Sequence, residues 1–187
     1  MVTEWIFVGV VALLAVQRLF ELRLSAKHVA ALKAEGGYEV GSGHMNTMRL
    51  LHTAWFVAML AEVFLLDRPF VLWLAALGLA GLIVGQLLRY TAIRALGPRW
   101  TVNIMILPQA PAVSSGLYGK IRHPNYLGVI LEIACVPLLH TAWITSVVFT
   151  MLNALLLRVR IRTEEQALRE ANRYDETFGD RPRFLPG

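Results

Sequence analysis

Cysteine is nearly absent from this chain: Cys135 stands alone among 187 residues. A single thiol excludes an internal disulfide and any multi-cysteine metal site. It falls inside an apolar run, which reads as a buried structural thiol rather than a nucleophile. Charge is also scarce, at 17% Asp, Glu, Lys and Arg, where a soluble domain carries about 25%. No glycine-rich G-x-G-x-x-G turn follows a strand pattern, which excludes the soluble dinucleotide-type fold. There is no internal repeat, low-complexity tract or second soluble domain. The start, Met1-Val2-Thr3-Glu4, lacks the positive segment of a signal peptide, so the first hydrophobic run is expected to stay in the mature protein.

What is abundant is apolar length. Hydrophobic residues make up 56% of the chain, and the mean hydropathy is +0.53. The fold class expected is an all-α, polytopic membrane helical bundle of about five transmembrane helices, forming a single domain over 1–187. The spans read as about 5–24, 48–66, 70–96, 124–139 and 142–172, the last continuing past the membrane as a polar extension. Each long span is near the roughly 20 residues that a bilayer requires. The fourth is only about 16 residues, about 24 Å of helix, and with the fifth makes a hairpin that spans or dips into the bilayer. Residues 24–49 read as a polar segment, a short surface helix followed by a loop with Gly36-Gly37 and Gly41-Ser42-Gly43. Gly97-Pro98 stops helix 3. Gly78, Gly81 and Gly85 permit close helix packing in lipid.

The cations give orientation. Of the 18 Lys and Arg, Arg68 alone falls in a predicted outer loop, and Arg18 belongs to the inner end of helix 1. The others fall in or next to the 1–2 segment, the 3–4 connector or the C-terminal region, with Arg23 at the inner end of helix 1 and Arg89 and Arg94 in the last turns of helix 3. With the N-terminus outside and the C-terminus inside, that is a positive-inside pattern. It also accounts for the net charge of +5 through inner-leaflet contact, without a nucleic-acid partner. The expected location is the bacterial plasma membrane, with the polar site facing the cytoplasm.

Chemistry concentrates in two places. The first is Ser114-Ser115-Gly116-Leu117-Tyr118-Gly119-Lys120-Ile121-Arg122-His123-Pro124-Asn125-Tyr126-Leu127-Gly128. Pro124 suits the first position of a helix, which puts Arg122 or His123 at a helix mouth whose outward N–H groups favour an anion. The second is Arg160 and Glu164, four apart on one face that also carries Leu157, Leu168 and Ala171. Glu165, Arg162 and Arg169 point elsewhere and read as surface charges. Arg18 and Glu21 can pair at i, i+3. Glu62 either snorkels or faces the bundle interior. His44 and His52 come with no third ligand at metal spacing and read as interfacial polar residues; no metal is expected.

Together, Ser115-Gly116-Leu117-Tyr118 with Arg122-His123-Pro124-Asn125-Tyr126-Leu127-Gly128, and Arg160-x-x-x-Glu164-Glu165-x-x-Leu168, resemble the isoprenylcysteine carboxyl methyltransferase (ICMT) family. The similarity covers about the last half of the chain, from Gly97-x-Arg99-Trp100-Thr101 onward. The resemblance implies a cofactor, S-adenosyl-L-methionine, held by Asn103, Ala110, Pro111, Ala112, Val113, Tyr118, His123, Pro124, Asn125, Tyr126 and Glu164. It implies that Arg160 faces the substrate as the catalytic residue. The partners implied are the lipid bilayer and an amphiphilic small molecule, methylated on a carboxylate or phenol oxygen at the cytoplasmic face. A carboxylate is already nucleophilic, whereas a phenol near pKa 10 needs a cation or base. Arg160 stabilises either anion but is a poor proton acceptor. Sterol-reductase-like membrane proteins carry a similar Arg-His-Pro-Asn-Tyr segment and use NADPH, which is the alternative reading. Against it stand Arg160-x-x-x-Glu164-Glu165 and the absence of a tyrosine-rich tail.

Overall fold

The computed structural model describes residues 1–185. Its order is α1 (Val2–Ala34), β1 (Tyr38–Val40), α2 (Gly43–Leu65), α3 (Leu72–Leu96), β2 (Ile104–Ile106), α4 (Pro124–Cys135), α5 (Trp143–Ala171) and α6 (Tyr174–Phe178). Short 3₁₀ turns at Gly97–Arg99, Gly116–Gly119 and Val136–His140 link them. Four helical stretches, Val2–Ala34, Gly43–Leu65, Leu72–Arg99 and Trp143–Ala171, are long and apolar enough to cross a membrane, and Pro124–His140 is a shorter apolar helix. The chain is an all-α polytopic membrane bundle.

Two boundaries differ from the sequence reading. α1 does not end near Leu24 but runs to Ala34, because no glycine or proline interrupts the chain between Leu24 and Gly36. The loop expected around Gly36-Gly37 exists, but it leads into a strand. β1 pairs antiparallel with β2, with Tyr38 opposite Ile106 and Val40 opposite Ile104. The connector after α3 thus contains a strand, and Ile104 and Ile106 bury against Ala167 of α5. Gly36, at φ 89°, turns the chain from helix to strand, a conformation that glycine adopts without a Cβ clash.

α3 and α4 pack closely through small residues. A Cβ on Gly78 would lie 2.8 Å from the Cys135 carbonyl oxygen, and one on Gly128 would lie 2.7 Å from the Gly85 carbonyl. Cys135 Sγ sits where a Gly81 side chain would be, which gives this thiol a packing role. Elsewhere Phe7, Val11 and Leu14 of α1, Trp55, Met59 and Val63 of α2, and Ile133 of α4 form the main buried core.

The two ends of the bundle are chemically distinct. At one end His140 meets Thr3 through Nε2 and Oγ1 at 3.2 Å. There Glu62 is buried and faces the interior. Its carboxylate accepts from the backbone N–H of Ile144 (3.1 Å) and Thr145 (2.7 Å) and pairs with Arg68 at 2.9 Å. It therefore caps α5, whose own N-terminal residue Ala142 supplies no side-chain cap. At the opposite end lie the strand pair, the connector, α6 and the C-terminal tail, which surround the start of α4.

Candidate functional site

A cavity of about 540 Å³ opens at the connector end and runs into the bundle. Its size is that of a small-molecule site. Asn103, Ala110, Pro111, Ala112, Val113, Tyr118, His123, Asn125, Tyr126, Arg160 and Glu164 all line it. Residues far apart in sequence thus share one space. Pro124 is the exception: it is buried at the first position of α4 and is not in the cavity wall.

Several lining groups are held in place by hydrogen bonds. The Tyr126 hydroxyl donates to Glu164 Oε2 at 2.6 Å, joining α4 to α5. Asn103 Nδ2 donates to Glu39 of β1 at 2.7 Å, so the strand pair fixes the connector. Asn172 Nδ2 donates to the carbonyls of Leu107 and Ala110, at 3.0 and 2.7 Å, pinning the 110–113 segment to the end of α5. Arg160 is buried, 2% exposed, and its Nη2 donates to the Val102 carbonyl at 2.7 Å. Tyr118 is buried. Desolvation, then the Glu164 carboxylate and Tyr174, pushes its hydroxyl well above the usual phenol range, so it faces the cavity as a neutral donor. Tyr174 shifts the same way, through burial and then Glu165 and Glu164.

Several buried polar atoms on the wall have no partner within the protein: Asn125 Oδ1, Trp100 Nε1, Asn172 Oδ1 and Arg160 Nε. Buried polar atoms are satisfied as a rule, so a polar ligand belongs here. A carboxylate, aromatic rings from Tyr118, Tyr126, Tyr174 and Phe178, and amide groups suit an amino-acid-bearing nucleoside with a positive charge.

Two expectations from sequence are corrected. Glu165 is not a surface charge pointing away. It is 1% exposed, meets His123 Nε2 at 3.0 Å, and accepts from Arg183 Nε and Nη2 at 3.0 and 2.7 Å. Arg122 and Arg169 add ion pairs at 3.6 and 3.7 Å. The tail after α6 folds back over that face of α5, and this long-range cover has no local sequence signal. The same tail takes the backbone donors before α4: Arg122 N–H binds the Pro182 carbonyl and His123 N–H the Arg183 carbonyl, both at 3.0 Å. Those two N–H groups are therefore not free for an anion at the helix mouth.

The sequence reading missed the membrane-side wall. Arg18, Glu21, His52 and Arg89 line the cavity too. Arg18 pairs with Glu21 at 2.5 Å, as the i, i+3 spacing suggests, and also with Glu132. Arg89 reaches Glu21 at 2.5 Å and Glu132 at 3.3 Å. Two cations and two carboxylates thus balance across α1, α3 and α4. Glu132, ionisable within an apolar helix, was the available signal, because such a residue demands a partner. Ala15, Leu19 and Leu22 of α1 and Phe56 and Val57 of α2 add apolar side chains to the cavity wall. Leu19 and Val57 are more than half exposed, so the apolar part of the cavity wall is open rather than sealed by packing.

The sequence model of the isoprenylcysteine carboxyl methyltransferase (ICMT) family matches residues 74–170, starting within α3, earlier than the motifs suggested. The chain is 38% identical over 162 residues to "Uncharacterized protein YpbQ" of Bacillus subtilis (strain 168), covering 86% of this chain and 95% of that protein. It is 33% identical over 152 residues to an "Uncharacterized protein" of Haemophilus influenzae (strain ATCC 51907 / DSM 11121 / KW20 / Rd), covering 81% of this chain and 88% of that one. With a match over half of its length and motif residues gathered round one cavity, this chain belongs to the ICMT family of membrane methyltransferases.

Proposed function

We propose that the protein transfers a methyl group from S-adenosyl-L-methionine to an oxygen of a lipid-like amphiphile at the cytoplasmic face of the plasma membrane. The observation that carries this reading is that one cavity is lined both by the polar and aromatic groups with Arg160 and by apolar side chains of α1 and α2. The polar and aromatic groups suit a charged nucleoside cofactor, and the apolar ones suit an acyl or prenyl chain.

Bound there, S-adenosyl-L-methionine would supply an electrophilic methyl group on its sulfonium. Asn103, the 110–113 segment, Tyr118, Asn125, Tyr126 and Glu164 hold and orient the cofactor, and His123 shapes the wall beside them. Arg160 presents its guanidinium to the acceptor oxygen, where a planar cation stabilises developing negative charge. Much of the rate comes from alignment of oxygen and methyl in a space that excludes water. The cytoplasmic orientation rests on the positive-inside distribution of Lys and Arg; a reporter fused after Gly187 that reads extracytoplasmic contradicts it.

The test is transfer of radiolabelled methyl from S-adenosyl-L-methionine into a lipid-extractable product, using purified protein in proteoliposomes with an amphiphilic carboxylate and an amphiphilic phenol. The expected result is label in one acceptor, with Arg160→Lys slowing turnover at unchanged cofactor affinity. No label in either acceptor overturns the reading.

A further inference from the structure

We infer that Arg99 anchors the carboxylate of the bound cofactor, a role outside the residues assigned to it so far. The inference rests on the methyl-transfer reading above and names the group that recognises the amino-acid end of S-adenosyl-L-methionine.

The cofactor carries one anionic group, its α-carboxylate, beside a positive ammonium and a positive sulfonium. A carboxylate withdrawn from water needs a cation or a set of N–H donors. The start of α4 offers fewer than its sequence suggests, because the N–H groups of Arg122 and His123 are taken by the tail carbonyls of Pro182 and Arg183. The guanidinium groups on the cavity wall are the next candidates. Arg18 and Arg89 are neutralised by Glu21 and Glu132. Arg122 faces Glu165 and donates to the Arg181 carbonyl. Arg49, Arg99 and Arg160 also line the cavity, and among the described residues they have no carboxylate partner.

Of these, Arg160 is held by the Val102 carbonyl and serves the methyl acceptor. Arg49 stands on α2, four residues after Met45 and three before His52, and shares their face. Arg99 is the one joined to the cofactor segment: its Nη1 donates to the Pro111 carbonyl at 2.6 Å.

The fold fixes where this guanidinium stands. Arg99 closes the 3₁₀ turn Gly97–Arg99 that follows α3. The next residue, Trp100, is buried, and its carbonyl lies 2.7 Å from His28 Nδ1 of α1. The backbone beside Arg99 is thus pinned, and its side chain reaches across to the 110–113 segment. A guanidinium has five N–H donors in one plane. Nη1 serves Pro111, and no other partner is present among the described residues. The edge formed by Nε and Nη2 stays free, which is the geometry that takes a carboxylate through two parallel bonds. Glu164, which receives the Tyr126 hydroxyl but forms no ion pair among the described residues, supplies the opposite charge for the positive groups. A zwitterionic ligand is matched without disturbing the pairs made by Arg18, Glu21, Arg89 and Glu132.

The experiment titrates wild type, Arg99→Gln and Arg99→Lys in detergent with S-adenosyl-L-methionine and with decarboxylated S-adenosylmethionine, which lacks only that carboxylate. Calorimetry reads affinity, and thermal melts of the free proteins check folding. Wild type should prefer S-adenosyl-L-methionine by roughly 10–100-fold, the range of a charged hydrogen bond. In Arg99→Gln the preference should collapse toward equality, through loss of affinity for the carboxylated compound. Arg99→Lys, which keeps the charge without the planar fork, should retain part of it. Equal binding of the two compounds by wild type overturns the inference, whatever the variants do. A preference that survives in Arg99→Gln also overturns it, whether both affinities stay or fall together. The carboxylate is then held elsewhere, and Arg99 only pins the 110–113 segment. Binding of neither compound by wild type removes the methyl-transfer reading as well.

Discussion

Glu164 and Glu165 are adjacent, chemically identical, and assigned opposite tasks by the fold. Glu164 keeps one face on the cavity and receives the Tyr126 hydroxyl. Glu165 is buried among His123, Arg122, Arg169 and Arg183. About 100° of helix rotation separates them. Glu164→Gln should weaken cofactor binding by roughly 10–100-fold, the value of a charged hydrogen bond, and shift the melting temperature little. Glu165→Gln should do the reverse. Loss of a buried carboxylate facing several cations costs about 3–5 kcal/mol, so melting in detergent should fall by at least about 6 °C. Calorimetric titration beside thermal melts reads both, and equal losses of affinity in the two variants contradict the assignment. The pattern Arg160-x-x-x-Glu164 was legible in sequence because i, i+4 spacing fixes a shared face. The role of Glu165 was not, because it depends on a tail returning from 18 residues downstream.

At the scale of elements, helical length and hydrophobicity revealed α2 to α5 to within a few residues, since a bilayer leaves few alternatives for apolar runs. The extension of α1 to Ala34 and the β1–β2 pair were hidden for opposite reasons. Polar helix beyond the membrane carries no apolar run, and three-residue strands far apart in sequence have too short a pattern to read. The α3–α4 interface was visible as Gly78, Gly81 and Gly85, but its partner surface was not. That interface predicts a sharp response to one methyl group. Gly78→Ala brings a Cβ to 2.8 Å of the Cys135 carbonyl oxygen and 2.9 Å of the Leu139 nitrogen, both backbone, so the helices must separate. The expected cost is about 1–3 kcal/mol, about 2–12 °C in melting temperature. Gly9→Ala, with nothing within 4 Å, is the control and should not lower it. Similar melting of the two variants would show that α3 and α4 are not held at this distance.

On the scale of the whole molecule, the bundle places its capped, sealed end at Glu62 and His140 and its open end at the connector and tail. A balanced set of charges, the buried Arg89 and Glu132 with the partly buried Arg18 and Glu21, ties α1, α3 and α4 beside the cavity. Its cross-helix pairs, Arg18–Glu132, Arg89–Glu21 and Arg89–Glu132, form only when the three helices are assembled, so it favours their arrangement while leaving a polar wall for the ligand. The central claim is that the polar end of the cavity holds S-adenosyl-L-methionine. Calorimetric titration of the purified protein with S-adenosyl-L-methionine and, in parallel, with NADPH tests it most directly. The account predicts saturable one-site binding of S-adenosyl-L-methionine, weakened by Glu164→Gln, and no saturable binding of NADPH; binding of NADPH alone would contradict it.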